Sequence, residues 1–116
     1  MEFEKQSGAR QRERIDARQH PRFKLDVDVK IYPRASALVM GRAVDVSETG
    51  LAAMVKIEIP LDQVVRLELK LSLDLVSVRA LVRQRNAFRY GFQFVEPDSD
   101  AQYLITRFCR ELTPQT

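Results

Sequence analysis

The chain has few of the residues that usually carry catalysis or bind metals. Its 116 residues include one cysteine, Cys109, and one histidine, His20. A lone cysteine excludes a disulfide within the chain and gives no sign of an oxidising compartment. No cluster of cysteine, histidine or carboxylate side chains surrounds His20 at the spacing of metal ligands. We therefore expect neither an internal disulfide nor a metal site.

Long apolar runs are also absent. The longest, such as residues 50–55, are far too short to span a bilayer, and the N-terminus lacks the apolar core of a signal peptide. Apolar residues nevertheless make up 45% of the chain, which is enough for a packed core and too many for a disordered chain. We expect one cytoplasmic domain with no membrane span.

The sequence motifs of common enzyme classes are missing as well. There is no phosphate-binding Walker loop and no Rossmann glycine pattern. Ser47, His20 and Asp45 supply the residue types of a catalytic triad, but no nucleophile elbow or oxyanion-hole motif accompanies them. We predict that the protein is not an enzyme, with no catalytic residue and no cofactor.

Charge is distributed unevenly along the chain. Residues 1–24 hold seven basic and four acidic residues, whereas residues 25–116 hold twelve of each, so the whole net charge of +3 lies in the leading segment. Five of its basic residues are arginines: Arg10, Arg12, Arg14, Arg18 and Arg22. A basic arm on a neutral body indicates a phosphate-bearing partner. We predict a flexible tail over residues 1–13 and a basic arm over 14–23.

Apolar residues alternate with polar ones through most of the remaining chain, which is typical of half-buried strands. We expect strands over residues 25–31, 38–47, 50–55 or 50–57, 65–75, 76–85 and 88–94. The alternation changes phase after Leu75, so a turn or bulge must lie near residues 72–76. Phe88, Tyr90, Phe92 and Phe94 are predicted to form one aromatic face of the last strand.

The second predicted strand leads into the polar stretch Asp45-Val46-Ser47-Glu48-Thr49-Gly50. Its apolar residues fall on even positions, Leu38, Met40, Val44 and Val46. Strand geometry then puts Asp45 and Ser47 together on the opposite face, pointing away from the core. Gly50 permits a tight turn or a close backbone approach.

A helix is predicted over residues 98–112. Asp98 or Ser99 can cap it, and Gln102 completes a capping box with Ser99. The apolar stripe comprises Ala101, Leu104, Ile105, Phe108 and Leu112, with Cys109 beside it as a small buried residue. Short connections favour antiparallel pairing, and closure removes exposed edges. The prediction is an all-β protein, a six-stranded antiparallel β-barrel over residues 24–96 with a C-terminal α-helix.

The arm and the polar stretch together suit a guanine nucleotide. Arg18 and Arg22 flank Pro21, and an arginine fork matches phosphate oxygens and the O6/N7 edge of guanine. Asp45 can accept hydrogen bonds from the N–H groups of the other guanine edge, and Ser47 can both donate and accept.

Two spaced motifs carry a family resemblance. Arg18-x-x-x-Arg22 followed by Asp45-x-Ser47-x-x-Gly50 resembles the RxxxR loop and the [D/N]xSxxG motif of the PilZ domain family, and Tyr90-Gly91-Phe92-Gln93-Phe94 resembles its last strand. The match runs from about residue 14 to residue 112. Each motif alone is weak, whereas the ordered pair within a β-rich domain of this length is specific.

The resemblance implies a receptor for the bacterial second messenger cyclic di-GMP, with a downstream protein partner. The implied ligand-binding residues are Arg18, Arg22, Asp45, Ser47, Gly50, Arg14 and Gly91. Arg18 and Arg22 would clamp phosphate and guanine, Asp45 and Ser47 would hold the other guanine edge, and Gly50 would shape the turn. Arg14 gives a second, overlapping RxxxR spacing with Arg18.

Two other functions remain open from the sequence. A small barrel could bind nucleic acid through its arginine-rich arm, in which case affinity would fall steeply with salt and would not depend on Asp45. The absence of exposed aromatic residues interleaved with the basic ones makes nucleic acid the weaker prediction. The chain could also be a protein-interaction module that binds no nucleotide.

Overall fold

The computed structural model describes residues 21–112, which form six strands and one helix. The strands are β1 (Phe23–Tyr32), β2 (Val39–Val46), β3 (Gly50–Met54), β4 (Val64–Leu71), β5 (Asp74–Asn86) and β6 (Arg89–Phe94), and the helix is α1 (Ser99–Leu112). The predicted arm residues Arg14, Arg18 and His20 and the predicted tail lie outside the described residues.

The six strands form a closed barrel in the order β1-β2-β3-β6-β5-β4, and every neighbouring pair is antiparallel. The barrel closes between β1 and β4, where Val29 pairs with Leu69 and Ile31 with Leu67. Because each strand has two neighbours, none presents an unpaired edge. The predicted six-stranded antiparallel barrel with a C-terminal helix is confirmed.

The helix packs against β4 and β5 through Ala101, Ile105 and Cys109, which are buried. Asp98 is its cap, since its Oδ1 accepts a hydrogen bond of 2.8 Å from the backbone N–H of Ala101. Cys109 is buried as predicted, and burial raises the pKa of its thiol to about 11. The thiol therefore stays protonated at neutral pH, so Cys109 acts as a packing residue.

Tyr90 is fully buried in the barrel and its hydroxyl accepts a hydrogen bond of 3.0 Å from the backbone N–H of Ile59. We expect Tyr90→Phe to lower the free energy of unfolding by about 1–3 kcal/mol, because it leaves that buried N–H without an acceptor. Urea unfolding measures the change. Tyr103→Phe is the control, since Tyr103 is exposed, and an equal loss in both variants would contradict the assignment.

For the first half of the second strand, the prediction of which residues face the barrel interior is wrong. Leu38 and Met40 are exposed, and the interior is lined by Val39 and Ala43. A bulge between Ala43 and Asp45, where β2 pairs with β3, inserts an extra residue and changes the phase of the alternation. Val46, beyond the bulge, faces inwards as predicted.

Two further predictions need correction. Ser47 does not share a strand face with Asp45, because β2 ends at Val46 and the Ser47 side chain is completely buried in the following turn. Phe88 lies in the β5–β6 turn, after Ala87 with its φ of 57°, and is exposed instead of joining the inner aromatic face. The predicted change of phase near residues 72–76 is the β4–β5 turn, where Ser72 has a φ of 63°.

Candidate functional site

The first strand brings the described end of the basic arm to the polar stretch. β1 pairs with β2 so that Lys24 lies opposite Asp45, which places Arg22 beside the end of β2. The Nε and Nη2 atoms of Arg22 donate to Oδ1 of Asp45 at 3.2 and 2.8 Å. The structure therefore joins the described half of one motif to the first residue of the other.

A second arginine completes the cluster. Arg89, at the start of β6, donates from Nη2 to Oδ2 of Asp45 at 2.5 Å. The two arginines cover the carboxylate, whose side chain is only 13% exposed, while their own side chains remain about half exposed. The Asp45 carboxylate thus points away from the barrel interior and has both oxygens engaged.

Arg89 is a site residue that the sequence reasoning did not identify. Because side chains alternate along a strand, Arg89 lies on the same face of the last strand as Gly91. That shared face is the one feature of the sequence that could have identified Arg89 as a site residue. Its contact with Asp45 spans 44 residues and depends on β2 and β6 both pairing with β3. No local pattern in the sequence contains that information.

A cavity of about 410 Å³ lies next to this cluster on the outer face of the barrel. Arg22, Arg85 and Arg89 are among its lining residues. Ala52 and Gly91 also line it, and they are partners across β3 and β6. Two such small side chains leave room for a flat group to rest on the sheet.

A second cavity of about 270 Å³ adjoins the first, and both are lined by Arg22, Gln84 and Gly91. Gly50 also lines the second cavity. A Cβ added to Gly91 would lie 2.9 Å from Cγ of Gln84, a flexible side chain that can move. Gly91 therefore keeps the floor open at the junction of the two cavities.

Ser47 and Gly50 shape the turn under the cavities. The backbone N–H of Ser47 donates to the Gly50 carbonyl at 2.8 Å, and its Oγ accepts a 3.2 Å bond from the N–H of Thr49. A Cβ added to Gly50 would lie 2.2 Å from the carbonyl oxygen of Phe92, so only glycine fits against β6 there. Ser47 lines neither cavity.

The site carries more positive than negative charge. Three arginines line the larger cavity, Arg83 lines the smaller one, and Asp45 neutralises part of this charge. Arg85 also pairs with the exposed Glu58 at 3.2 Å. A concave surface lined with guanidinium groups attracts anions, phosphates in particular.

Other kinds of site find little support in residues 21–112. Nowhere in this part of the chain do three or more histidine, cysteine or acidic side chains group as metal ligands would. Within the same range, no helix has the length and apolar character needed to cross a membrane.

The closed six-stranded barrel with a C-terminal helix and an arginine-lined outer cavity places the chain among the small β-barrel domains. The chain belongs to the PilZ domain family, whose model matches residues 16–111. No curated protein sequence matches it significantly.

Solved structures with the same fold are distant in sequence. An inhibitor of motility from Bacillus subtilis, MotI/DgrA, has 19% identity and a TM-score of 0.69 over 84% of this chain, which spans 53% of that protein. The PilZ domain of YcgR from Escherichia coli, solved with c-di-GMP, has 12% identity and a TM-score of 0.67 over 81% of this chain and 89% of that one. The PilZ domain of CeSA from a cellulose-synthesising bacterium has 17% identity and a TM-score of 0.65, and the match covers 78% of this chain and 96% of that one.

Proposed function

We propose that this protein is a non-enzymatic receptor for cyclic di-GMP, which it binds through the RxxxR arm and the DxSxxG motif. The observation that carries the proposal is the contact between Arg22 and Asp45 at the edge of an arginine-lined cavity. These residues belong to different motifs, 23 positions apart in the chain. The complex of the YcgR domain with c-di-GMP supports the choice of ligand.

The ligand offers two groups that fit this surface. Its phosphates carry the negative charge that the guanidinium groups of Arg22 and Arg89 can pair with in forked geometry. A guanine base presents N–H donors on one edge, which a carboxylate such as Asp45 accepts, and the O6 and N7 acceptors on another, which an arginine fork fits. The low floor of Ala52 and Gly91 leaves space for a flat base.

Asp45 already accepts three hydrogen bonds from arginines, two at Oδ1 from Arg22 and one at Oδ2 from Arg89. A carboxylate has about four acceptor positions, so one N–H of guanine can bind without displacing an arginine, whereas a second N–H takes the place of one arginine hydrogen bond. A guanidinium N–H displaced in this way becomes available to a phosphate of the same ligand. The carboxylate therefore holds the two arginines near the cavity, where the phosphates reach them.

In this proposal, a change in the position of the basic arm transmits the signal. Arg14 and Arg18 precede Arg22, and we propose that the phosphates draw these residues onto the barrel, where the ordered arm presents a new surface to a downstream protein. The ligand can shift this equilibrium only by its difference in affinity for the two arm conformations. The receptor role needs no catalytic step.

Calorimetric titration of the full chain with cyclic di-GMP, with GTP and with a DNA oligomer tests the proposal. We expect saturable binding of cyclic di-GMP and much weaker binding of GTP. Binding to DNA that falls steeply with salt and exceeds binding to the dinucleotide would favour the nucleic-acid alternative. Absence of binding to all three would favour a protein-interaction module.

Arg89 is predicted to contribute to the same affinity. Arg89→Ala removes one of the two guanidinium groups on Asp45, and we expect cyclic di-GMP to bind about 10-fold more weakly, at the lower end of the cost of losing one charge-assisted hydrogen bond because the Arg89 side chain is about half exposed. Titration of the variant measures this. Unchanged affinity would mean that Arg89 only covers Asp45 in the unliganded protein.

A further inference from the structure

A row of four residues crosses four neighbouring strands at the floor of the cavities. Asp45 of β2 lies opposite Ala52 of β3, and Ala52 lies opposite Gly91 of β6. Gly91 lies in turn opposite Gln84 of β5. Residues directly opposite each other on neighbouring strands share one face of the sheet, so all four belong to the outer face. The row therefore has a polar side chain at each end and two small residues between them.

A bulge in β5 turns Gln84 towards this face. Val82 is buried in the barrel, and strict alternation would also point Gln84, two residues later, inwards. The pairing of β5 with β6 shifts between Val82 and Gln84, which inserts one extra residue in β5 and leaves Gln84 exposed. Bulges re-aim side chains in this way and are frequent beside active sites. Alternation in the sequence alone therefore assigns Gln84 to the wrong face.

The side chain of Gln84 extends from β5 over β6. A Cβ added to Gly91 would lie 2.9 Å from Cγ of Gln84 and 3.2 Å from its Nε2, so the amide lies over Gly91. This amide has no hydrogen-bond partner among residues 21–112. Gln84 and Gly91 each line both cavities. A flexible amide with free hydrogen-bonding groups thus lies at the end of the row opposite the Asp45 carboxylate.

We propose that Gln84 is a further ligand-binding residue of this site, whose Nε2 donates a hydrogen bond to N7 of the guanine that Asp45 binds. This inference rests on the proposed binding of cyclic di-GMP. A guanine that lies on the floor with its N–H groups towards Asp45 has N7 on its far side, towards Gln84. The amide N–H is a donor and N7 is an acceptor, so the two groups match. Arg22 and Arg89 both contact Asp45 and so start from the other end of the row.

The two ends of the row have different tasks in recognition. Asp45 distinguishes guanine from adenine, because N1 of adenine carries no hydrogen that a carboxylate could accept. Gln84 fixes the orientation of the base, since its contact uses a different edge from that of Asp45. In the unliganded protein the Gln84 amide covers Gly91, where the base is to lie, so this side chain rotates to the edge of the base on binding.

Calorimetric titration of the full chain with cyclic di-GMP and with its 7-deazaguanine analogue tests this contact, because the analogue has a C–H group in place of N7. Gln84→Met keeps the length of the side chain and removes its hydrogen-bonding groups. We expect this variant to bind cyclic di-GMP about 2- to 12-fold more weakly than the wild type, as for the loss of one hydrogen bond between neutral groups. Replacing cyclic di-GMP by the analogue should weaken binding to the wild type more than binding to the variant, by the same factor.

Gln102→Met is the matched control, since Gln102 is an exposed glutamine of α1 that lines neither cavity. Its affinities for both ligands should equal those of the wild type. The inference is overturned if Gln84→Met binds cyclic di-GMP as tightly as the wild type, or if the analogue weakens binding to both proteins equally. Either result leaves the proposed function standing, because the wild type still binds cyclic di-GMP. A wild type that does not bind cyclic di-GMP overturns both.

Discussion

Asp45→Ala is expected to weaken the binding of cyclic di-GMP by about 10- to 150-fold while the barrel stays folded, as for the loss of one or more charge-assisted hydrogen bonds. Asp45 is the acceptor that holds Arg22 and Arg89 beside the cavity, and in the proposed complex it accepts from guanine. The variant loses both roles. Its fold should persist, because the two arginines are about half exposed and become hydrated when the carboxylate is removed.

Arg22→Ala should weaken binding to a similar extent, since Arg22 lines both cavities. The control is Arg79→Ala. Arg79 has a similarly exposed side chain and one ion pair, with Glu96 at 3.5 Å, but lines neither cavity. Calorimetry on the three variants separates a specific site from general attraction to positive charge. Equal losses of affinity in Arg79→Ala and Arg22→Ala would contradict the assignment of the binding site.

Gly50→Ala is expected to destabilise the protein by about 3 kcal/mol or more, at the upper end of the cost of overpacking a core. The added Cβ would lie 2.2 Å from the carbonyl oxygen of Phe92, which is backbone and is fixed by the pairing of β3 with β6. Relief requires the two strands to separate where the Ser47 turn enters β3. Thermal or urea unfolding of the variant measures the loss.

Gly91→Ala is the matched control for this steric argument. Its Cβ would meet the side chain of Gln84, which can rotate away, so we expect a loss of less than about 1 kcal/mol. The same Cβ stands on the floor of both cavities and should reduce ligand affinity. If Gly50→Ala unfolds at the wild-type midpoint, the close approach of β3 to β6 is not as described.

The barrel and its helix were predictable because their patterns are local. Residues 65–71 alternate without interruption, and the apolar spacing along the helix identified the buried Ala101 and Ile105 and the partly buried Leu104 and Phe108, although Leu112 at its end is exposed. The phase change after Leu75 correctly placed a turn near residue 72, since a side-chain period of two cannot change phase without one.

What could not be predicted depends on contacts between distant strands. The bulge between Ala43 and Asp45 is visible only in the pairing of β2 with β3, and it reversed the predicted exposure of Leu38 and Met40. For the same reason the exposed Met40 became part of a surface groove instead of the core. Arg89 reaches Asp45 only because β2 and β6 are both neighbours of β3.

The site was predictable in part. The family resemblance implied one ligand pocket for Arg22 and Asp45, and the structure brings the two side chains to 2.8 Å of each other, while their roles in binding remain predictions. Gly50 shapes the turn as expected, whereas Ser47, predicted on a strand face beside Asp45, lies in the turn, and its buried hydroxyl serves the turn itself. The contributions of Arg14 and Arg18 remain predictions, because both lie outside the described residues.

The location of the nucleotide is tested most directly by amide chemical-shift mapping of the ¹⁵N-labelled protein during titration with cyclic di-GMP. The account predicts the largest changes at Arg22 and at the floor of the cavities, namely Ala52, Gln84 and Gly91. The amide chemical shifts of Arg66 and Ser77, which line a different depression, should not change. Saturable binding with its largest shifts at those two residues, and none at the cavity floor, would contradict it.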